Sequence, residues 1–371
     1  MTTPPLVSIV LGTRPEAIKL APVIMSFQKC GALRTRTILT GQHREMVNQV
    51  MKLFQLSFDK DLALMEPNQT LTHLTATILE GLRKEFLVHR PSLVLVQGDT
   101  TTALASAMAA FYEQIPVGHI EAGLRTNDID DPFPEEGNRC LISQITKLHF
   151  SPTIQSAANL QASGVIGEIH ITGNTVIDAL LSMSQKKSTV CQINGLNWKD
   201  KRVILATVHR RENWGTRLNG IAYGFFKLLE RHSDVALLLP LHKNPAVRKP
   251  LNDILKDHPR AFLTEPLAYD QLVAAMRSCS LVLTDSGGIQ EEAATFGKPV
   301  LILRRTTERS EAVEGGTARL IGTDTTDILN EASLLLKDDS AYRAMSQFNN
   351  PFGDGKASDR ILTAARTFLN C

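Results

Sequence analysis

The sequence lacks most of the signals that announce a chemistry directly. No apolar run is long enough to span a membrane: the first, Leu6 to Leu11 within MTTPPLVSIVLGTRPEA, is short, follows no basic segment and precedes no small-residue cleavage site. It reads as a first strand rather than a leader or an anchor. Cysteine is scarce: Cys30, Cys140, Cys191, Cys279 and Cys371 are scattered, odd in number and never in a CxxC or Cys/His cluster. That excludes a disulfide framework or zinc site as an organising feature and fits a reducing cytoplasm. Charge of one sign is missing too, since 40 Lys and Arg against 38 Asp and Glu leave a formal net charge of +2. Neither nucleic acid nor an anionic membrane is then indicated as the main partner. No GxGxxG follows a strand, no HExxH is present and no GxSxG. These absences argue in turn against a bound dinucleotide, an all-protein metal site and a serine-hydrolase elbow.

What is present is an ordinary globular composition, 43% hydrophobic and 21% charged, over 371 residues. That length predicts about two domains. Short β-branched runs at Leu6 to Leu11, Ile38-Leu39, Leu93 to Val96, Val117 to Ile120, Leu148 to Phe150 and Ile169 to Thr172 alternate with helical patterns. One such pattern has Leu71, Leu74, Ile78, Leu82 and Phe86 at three- and four-residue spacing. Apolar periodicity lapses from Ser182 to Lys201, the best linker candidate. A second series follows, with strands expected at Val203 to Val208, Val235 to Pro240, Phe262 to Thr264, Leu281 to Thr284 and Val300 to Leu303, and a helix from Ile289 to Phe296. The fold class is α/β: two Rossmann-like domains with doubly wound parallel sheets, whose strand C-terminal edges face a shared central cleft.

The stretch from Leu93 to Arg139 carries the acidic chemistry. Asp99 and Glu121 each follow a strand, and Glu135 and Glu136 sit in a Pro-rich loop, so a parallel sheet gathers them at one edge as a proton-transfer cluster. Asp99 as a helix cap, and the Glu pair as a helix N-terminus, remain the plain alternatives. In the second half, Thr284-Asp285-Ser286-Gly287-Gly288 joins a strand to a helix, either as a tight turn or as a phosphate cradle of bare backbone amides. Glu291 and Glu292 follow one turn later, in reach of a ribose diol. Arg14, Lys19, His209 and Arg309 stand at loop positions suited to a diphosphate. Arg210, Lys243, Arg304 and Arg305 read as solvated surface groups, and His73, His89, His149, His170, His232 and His258 as structural or surface histidines.

Ten segments in order carry a resemblance: GTRPEAIKLAP from Gly12, GQHREM from Gly41, GDTTT from Gly98, GHIEAGLRT from Gly118, PEEGNR from Pro134, ITGNTVID from Ile171, HRREN from His209, TDSGGIQEEA from Thr284, TTERSEA from Thr306 and NPFGDGKAS from Asn350. Together, over essentially the whole chain, they resemble the bacterial non-hydrolysing UDP-N-acetylglucosamine 2-epimerase family. The resemblance implies a GT-B architecture, with residues 1–172 forming a catalytic N-terminal domain, residues 173–356 a UDP-binding domain, and the helix of 357–371 returning to the first. It implies a homodimer that interconverts UDP-GlcNAc and UDP-ManNAc with neither metal nor nicotinamide cofactor. Asp99, Glu121, Glu135 and His209 match the family's catalytic positions; Arg14, Lys19, Ser286, Gly287, Gly288, Glu292 and Arg309 match its UDP contacts. Gln42, His43 and Gln69 resemble a second, allosteric UDP-GlcNAc site. Asn68 stands where some relatives carry Arg, and Leu272 where some carry Phe near the uracil.

The chemistry agrees with that resemblance. The C2 proton of an unoxidised sugar is not acidic, so inversion requires transient oxidation, for which no dinucleotide fingerprint exists, or departure of the anomeric leaving group. Elimination of UDP to 2-acetamidoglucal and re-addition fits the carboxylates. Four other readings remain: a hydrolysing epimerase that releases ManNAc, a 2-epimerase for a modified UDP-sugar, a GT-B glycosyltransferase, and a non-catalytic nucleotide-sugar sensor, which is favoured only in the absence of the carboxylates.

Overall fold

The computed structural model describes residues 3–66, 69–185, 191–346 and 350–371. The chain forms two compact units, Met1–Leu181 with Phe352–Cys371, and Ser182–Pro351. The first unit is built on seven parallel strands: β1 (Leu6–Leu11), β2 (Arg34–Leu39), β3 (Lys60–Asp61), β4 (Leu93–Gln97), β5 (Val117–Ile120), β6 (Leu148–Ser151) and β7 (Glu168–Ile171). Their spatial order is β3-β2-β1-β4-β5-β6-β7. The central strands are apolar because helices cover both faces, and β4 and β5 are buried at every position.

Local sequence explains the helix that follows β1. Thr13 caps Arg14–Lys29 in a reciprocal capping box, its hydroxyl accepting from the Glu16 amide while Glu16 Oε2 accepts from the amides of Gly12 (2.8 Å) and Thr13 (2.6 Å). Gly12 is required there, since a Cβ would lie 2.2 Å from Thr40 Oγ1. The Ala-rich helix Thr101–Tyr112 buries Ala103, Ala105, Ala107, Ala109 and Ala110, and such small side chains let it lie close to its neighbours.

The second unit repeats the plan with six parallel strands: β8 (Arg202–Thr207), β9 (Val235–Pro240), β10 (Ala261–Thr264), β11 (Leu281–Thr284), β12 (Val300–Ile302) and β13 (Ala318–Leu320). Their order is β10-β9-β8-β11-β12-β13. The core of this unit centres on Leu218, Phe225, Leu237, Leu239, Leu251, Leu281 and Leu283.

In both sheets the order reverses at one point, between β1 and β4 and between β8 and β11. The loops leaving these strands diverge there and open a ligand crevice at the strand C-termini. Gly12–Arg14 and Gly98–Asp99 leave the first switch point; Val208–Arg210 and Asp285–Gly288 leave the second. The sheets are the α/β Rossmann-like pair of which GT-B proteins are made.

Some elements differ from the sequence reading. β2 begins at Arg34, four residues before Ile38, because its first residues are polar yet pair with β1. β3 and β13 were not expected, being two and three residues long. The helix after the Gly pair starts at Gly287 rather than Ile289. The last helix, Ala357–Leu369, packs on Arg14–Lys29, and Asp178 accepts from the amides of Ala357 (3.2 Å) and Ser358 (2.8 Å) at its start. Among the described residues, no helix is long and apolar enough to cross a membrane, and no group of three His, Cys, Asp or Glu is placed to hold a metal ion.

Candidate active site

In the first unit, Glu121 leaves β5 in the left-handed region (φ 64°) and is only 6% exposed. Lys19 Nζ donates to both its oxygens, 2.5 Å to Oε1 and 2.7 Å to Oε2, and Asn174 Nδ2 donates to Oε1 at 2.9 Å. Gln97, at the end of β4, donates to Oε2. Asp99, on the neighbouring loop, receives Arg139 Nη1 at 2.5 Å, while Asn138 Nδ2 donates to its backbone carbonyl at 2.7 Å. It does not cap the next helix, whose N-cap is Thr100. Glu135 and Glu136 do form a helix N-terminus, that of Glu135–Ile145. There Glu136 is bound by Arg139 (2.7 Å), whereas Glu135 Oε2 is buried with no hydrogen-bond partner among the described residues. The three acidic regions thus have three different environments: a saturated carboxylate, a partly exposed ion pair and a carboxyl oxygen without a partner among the described residues.

Beneath them His119 is 1% exposed and shares a 2.7 Å hydrogen bond between Nε2 and the Gly98 carbonyl. Burial pushes its imidazole down to about 4, so it is neutral at physiological pH. Arg14 opens the helix after β1 and is half-buried. Gln42 and His43 stand in the turn before Arg44–Leu53. Gln42 Oε1 accepts from Thr102 Oγ1 at 2.9 Å, and the His43 amide donates to the Gly12 carbonyl at 2.8 Å. Gln69 lies before the helix Leu71–Val88, with its amide on Leu64 O (3.3 Å). Asn68 lies outside the described residues.

In the second unit, Asp285 is fully buried at the switch point. It faces His209 Nδ1 at 3.1 Å and accepts from the amides of His209 (3.0 Å) and Arg210 (2.9 Å) and from Asn213 Nδ2 (3.0 Å). Burial opposes its charge, but the nearby His209 and these donors outweigh burial and hold the carboxyl below its ordinary range. His209 is therefore oriented through Nδ1, and its ring stacks on His242 with centroids 6.0 Å apart. Ser286 is the N-cap of Gly287–Thr295, so that helix aims its first amides and positive dipole end at the loop. Gly288 has open space where a Cβ would stand, as a close-approaching anion requires, while a Cβ on Gly287 would lie 2.4 Å from Arg309 Nη1.

Arg309 is 5% exposed, bound at Nε to Glu291 Oε1 (2.5 Å) and at Nη1 to Glu308. Glu292 is buried and accepts from the Tyr269 hydroxyl at 2.9 Å. Lys243 and Arg305 are exposed, as read from the sequence. Arg304 is not: it is 1% exposed, with Nε on Glu212 Oε1 (2.7 Å) and Nη1 on Glu308 Oε2 (2.8 Å). Its burial is tolerated because two carboxylates converge on one guanidinium. Arg210 is half-buried, 3.7 Å from Glu308.

No local sequence pattern assigns a role to Gln97, Asn174, Arg139, Asn213 or Asp285, although Asn174 lies in ITGNTVID, Arg139 in PEEGNR, Asn213 in HRREN and Asp285 in TDSGGIQEEA. Strand pairing was the missing signal: Asp285 meets His209 because β8 and β11 are neighbours, with Thr207 opposite Thr284.

Comparison with known proteins places the chain. The profile of a family described as UDP-N-acetylglucosamine 2-epimerase matches residues 25–366. The UDP-N-acetylglucosamine 2-epimerase of Escherichia coli K12 is 48% identical over 365 residues, covering 96% of this chain and 97% of its own. The crystal structure of the Neisseria meningitidis UDP-GlcNAc 2-epimerase bound to UDP-GlcNAc has a TM-score of 0.92 at 42% identity, covering 98% of this chain and all of that one. The Methanocaldococcus jannaschii enzyme in complex with UDP-GlcNAc and UDP has a TM-score of 0.84 at 32% identity, covering 98% of this chain and 99% of that one. By profile, identity and coverage, the chain belongs to the UDP-N-acetylglucosamine 2-epimerase family.

Proposed function

We infer that the chain interconverts UDP-GlcNAc and UDP-ManNAc without hydrolysis, by elimination and re-addition of UDP. The observation that carries this reading is the set of carboxylates at the ends of β4 and β5 and on the following helix, in a chain whose other sheet bears a helix N-terminus with a glycine pair at its switch point. The C1–O bond breaks, its electron pair leaving on the diphosphate. As C1 becomes electron-deficient the C2 proton passes to a carboxylate, and C1=C2 forms in 2-acetamidoglucal. Protonation of C2 from the opposite face, with UDP returning to C1, completes inversion.

In this reading Asp99, Glu121 and Glu135 serve proton transfer and oxocarbenium stabilisation. His209, Arg14 and Arg309 stabilise the departing diphosphate, with Lys19, Ser286, Gly287, Gly288 and Glu292 completing the UDP contacts. The product is a ManNAc-type donor for surface polysaccharide. Gln42, His43 and Gln69 are assigned to a second UDP-GlcNAc site. The active form is a homodimer, for which the exposed Leu87, Val88, Phe111 and Tyr112 at the ends of two adjacent helices offer an apolar patch.

Incubation with UDP-GlcNAc in D2O, without added metal or nicotinamide and followed by NMR, tests the reaction. Deuterium at C2 in a mixture of intact UDP-GlcNAc and UDP-ManNAc is expected. Free ManNAc with UDP would identify a hydrolysing enzyme, and the absence of both exchange and inversion would end the epimerase reading.

A further inference from the structure

Glu121 differs from the other two acidic centres in having no acceptor position to spare. A carboxylate offers about four lone-pair sites. Here Oε1 accepts from Lys19 (2.5 Å) and Asn174 (2.9 Å), and Oε2 accepts from Lys19 (2.7 Å) and Gln97. The geometry around Asn174 is itself fixed. Its backbone amide donates to Phe352 O at 2.6 Å, and its Oδ1 accepts from the Val176 amide at 3.1 Å, so Nδ2 has to face Glu121. The residue before it, Gly173, has φ 86° and lies against Gly353. Gly173–Asn174 of the ITGNT segment and Phe352–Gly353 of the FGDG segment therefore meet behind Glu121 and aim one amide at it. Neither segment has another task in the reaction derived above.

We propose that Asn174, together with Gln97, is a positioning residue that locks Glu121 as a fixed negative charge. Glu121 then steadies the electron-deficient sugar and Lys19, and does not carry the C2 proton. Proton transfer falls to Asp99 and Glu135. Glu135 Oε2 is buried with no partner among the described residues, and Asp99 is partly exposed beside Arg139. A base that must collect a proton needs a vacant lone pair aimed at substrate. Glu121 would have to break a charge-assisted hydrogen bond to provide one. This assignment rests on the epimerase reading and refines it.

The test uses the full chain in four forms: wild type, Asn174→Ala, Glu121→Gln and the double variant. Each is given UDP-GlcNAc and, separately, UDP-ManNAc in D2O. Removing one donor to a charged acceptor is expected to lower kcat about ten- to a hundredfold. KM and the Kd of UDP stay near wild type, and C2 exchange falls by the same factor from either epimer. Because Asn174 acts through Glu121, its substitution costs at most about threefold in the Glu121→Gln background. The same loss in both backgrounds would make Asn174 merely structural and overturn the proposal. So would a Glu121→Gln enzyme that still exchanges C2 from one epimer without inverting it, because that is the behaviour of an enzyme missing one of two proton carriers. Should Asn174→Ala fail to fold, Gln97→Met removes the donor to the other oxygen at nearly equal length and enters the same cycle. A wild type that exchanges nothing would sink the epimerase reading, and this assignment with it.

Discussion

Arg304 shows what a residue's sequence neighbourhood conceals. Read from the chain it is one of two adjacent arginines after a strand, yet its guanidinium is enclosed between Glu212, 92 positions earlier, and Glu308, four positions later. Burial opposes its charge, but those two carboxylates outweigh burial and raise its pKa. Such an arrangement is more costly to break than it is beneficial to have, since removing the guanidinium leaves buried Glu308 to Arg309 and Glu212 without the Arg304 bond. Arg304→Ala should therefore lower the unfolding free energy by about 3 kcal/mol, the low end for a broken buried pair because Arg309 still holds Glu308. Urea titration reads this directly. A loss below about 1 kcal/mol would mean that solvent or a side-chain shift compensates Glu308. Asp285 carries the same lesson at the candidate site: its motif was legible, while its hold on His209 depends on a strand pairing that no local pattern encodes.

At the scale of elements, most of the fold was legible because burial on two faces leaves a run of apolar residues that reads as a strand. β4 and β5 are such runs. β3 and β13 are too short to show a period, and the polar start of β2 is recruited only by pairing with β1. The strand pair β5 and β6 adds something that an apolar pattern does not predict. His119 and His149 stand opposite each other in register, both buried. Burial holds His119 at about 4 and, with the positive charges of His119, Arg125 and His170 also acting, His149 at about 3, against an ordinary 6.5. Between pH 6.5 and about 4 the unfolded chain then binds protons that the folded one does not. Unfolding free energy should fall as the pH drops through that window, by about 1.4 kcal/mol per pH unit for each imidazole. Replacing His149 with Leu removes one contribution, so the variant should lose stability less steeply between pH 6.5 and 4. Denaturant midpoints at pH 7.5, 6 and 5 measure both slopes. Parallel slopes would show that His149 does not titrate on unfolding in this range.

For the molecule as a whole, alternating strand and helix patterns with one lapse of periodicity sufficed to foresee two parallel-sheet domains. The place where the chain comes back to its first unit, at Pro351–Phe352, was not readable in the same way. It is held by Asn174 on the Phe352 carbonyl and by Asp178 on the start of the last helix, both tertiary contacts with no sequence period. Two units with separate sheets need not respond alike to a ligand. If the loop of Ser286–Gly288 holds UDP, as proposed, saturation at about a hundred times Kd adds about 2.7 kcal/mol to the folded state of whatever binds it. The slowest amides of β8 and β11 should then exchange up to about a hundredfold more slowly. Those of β2 and β3, away from the first switch point, should slow at least about tenfold less. Gly287→Ala is expected to abolish most of the protection, because the added methyl falls on the Arg309 guanidinium. Hydrogen exchange with mass detection resolves the two sheets in one experiment. Equal protection of both, or protection that survives Gly287→Ala, would move the nucleotide away from the second switch point.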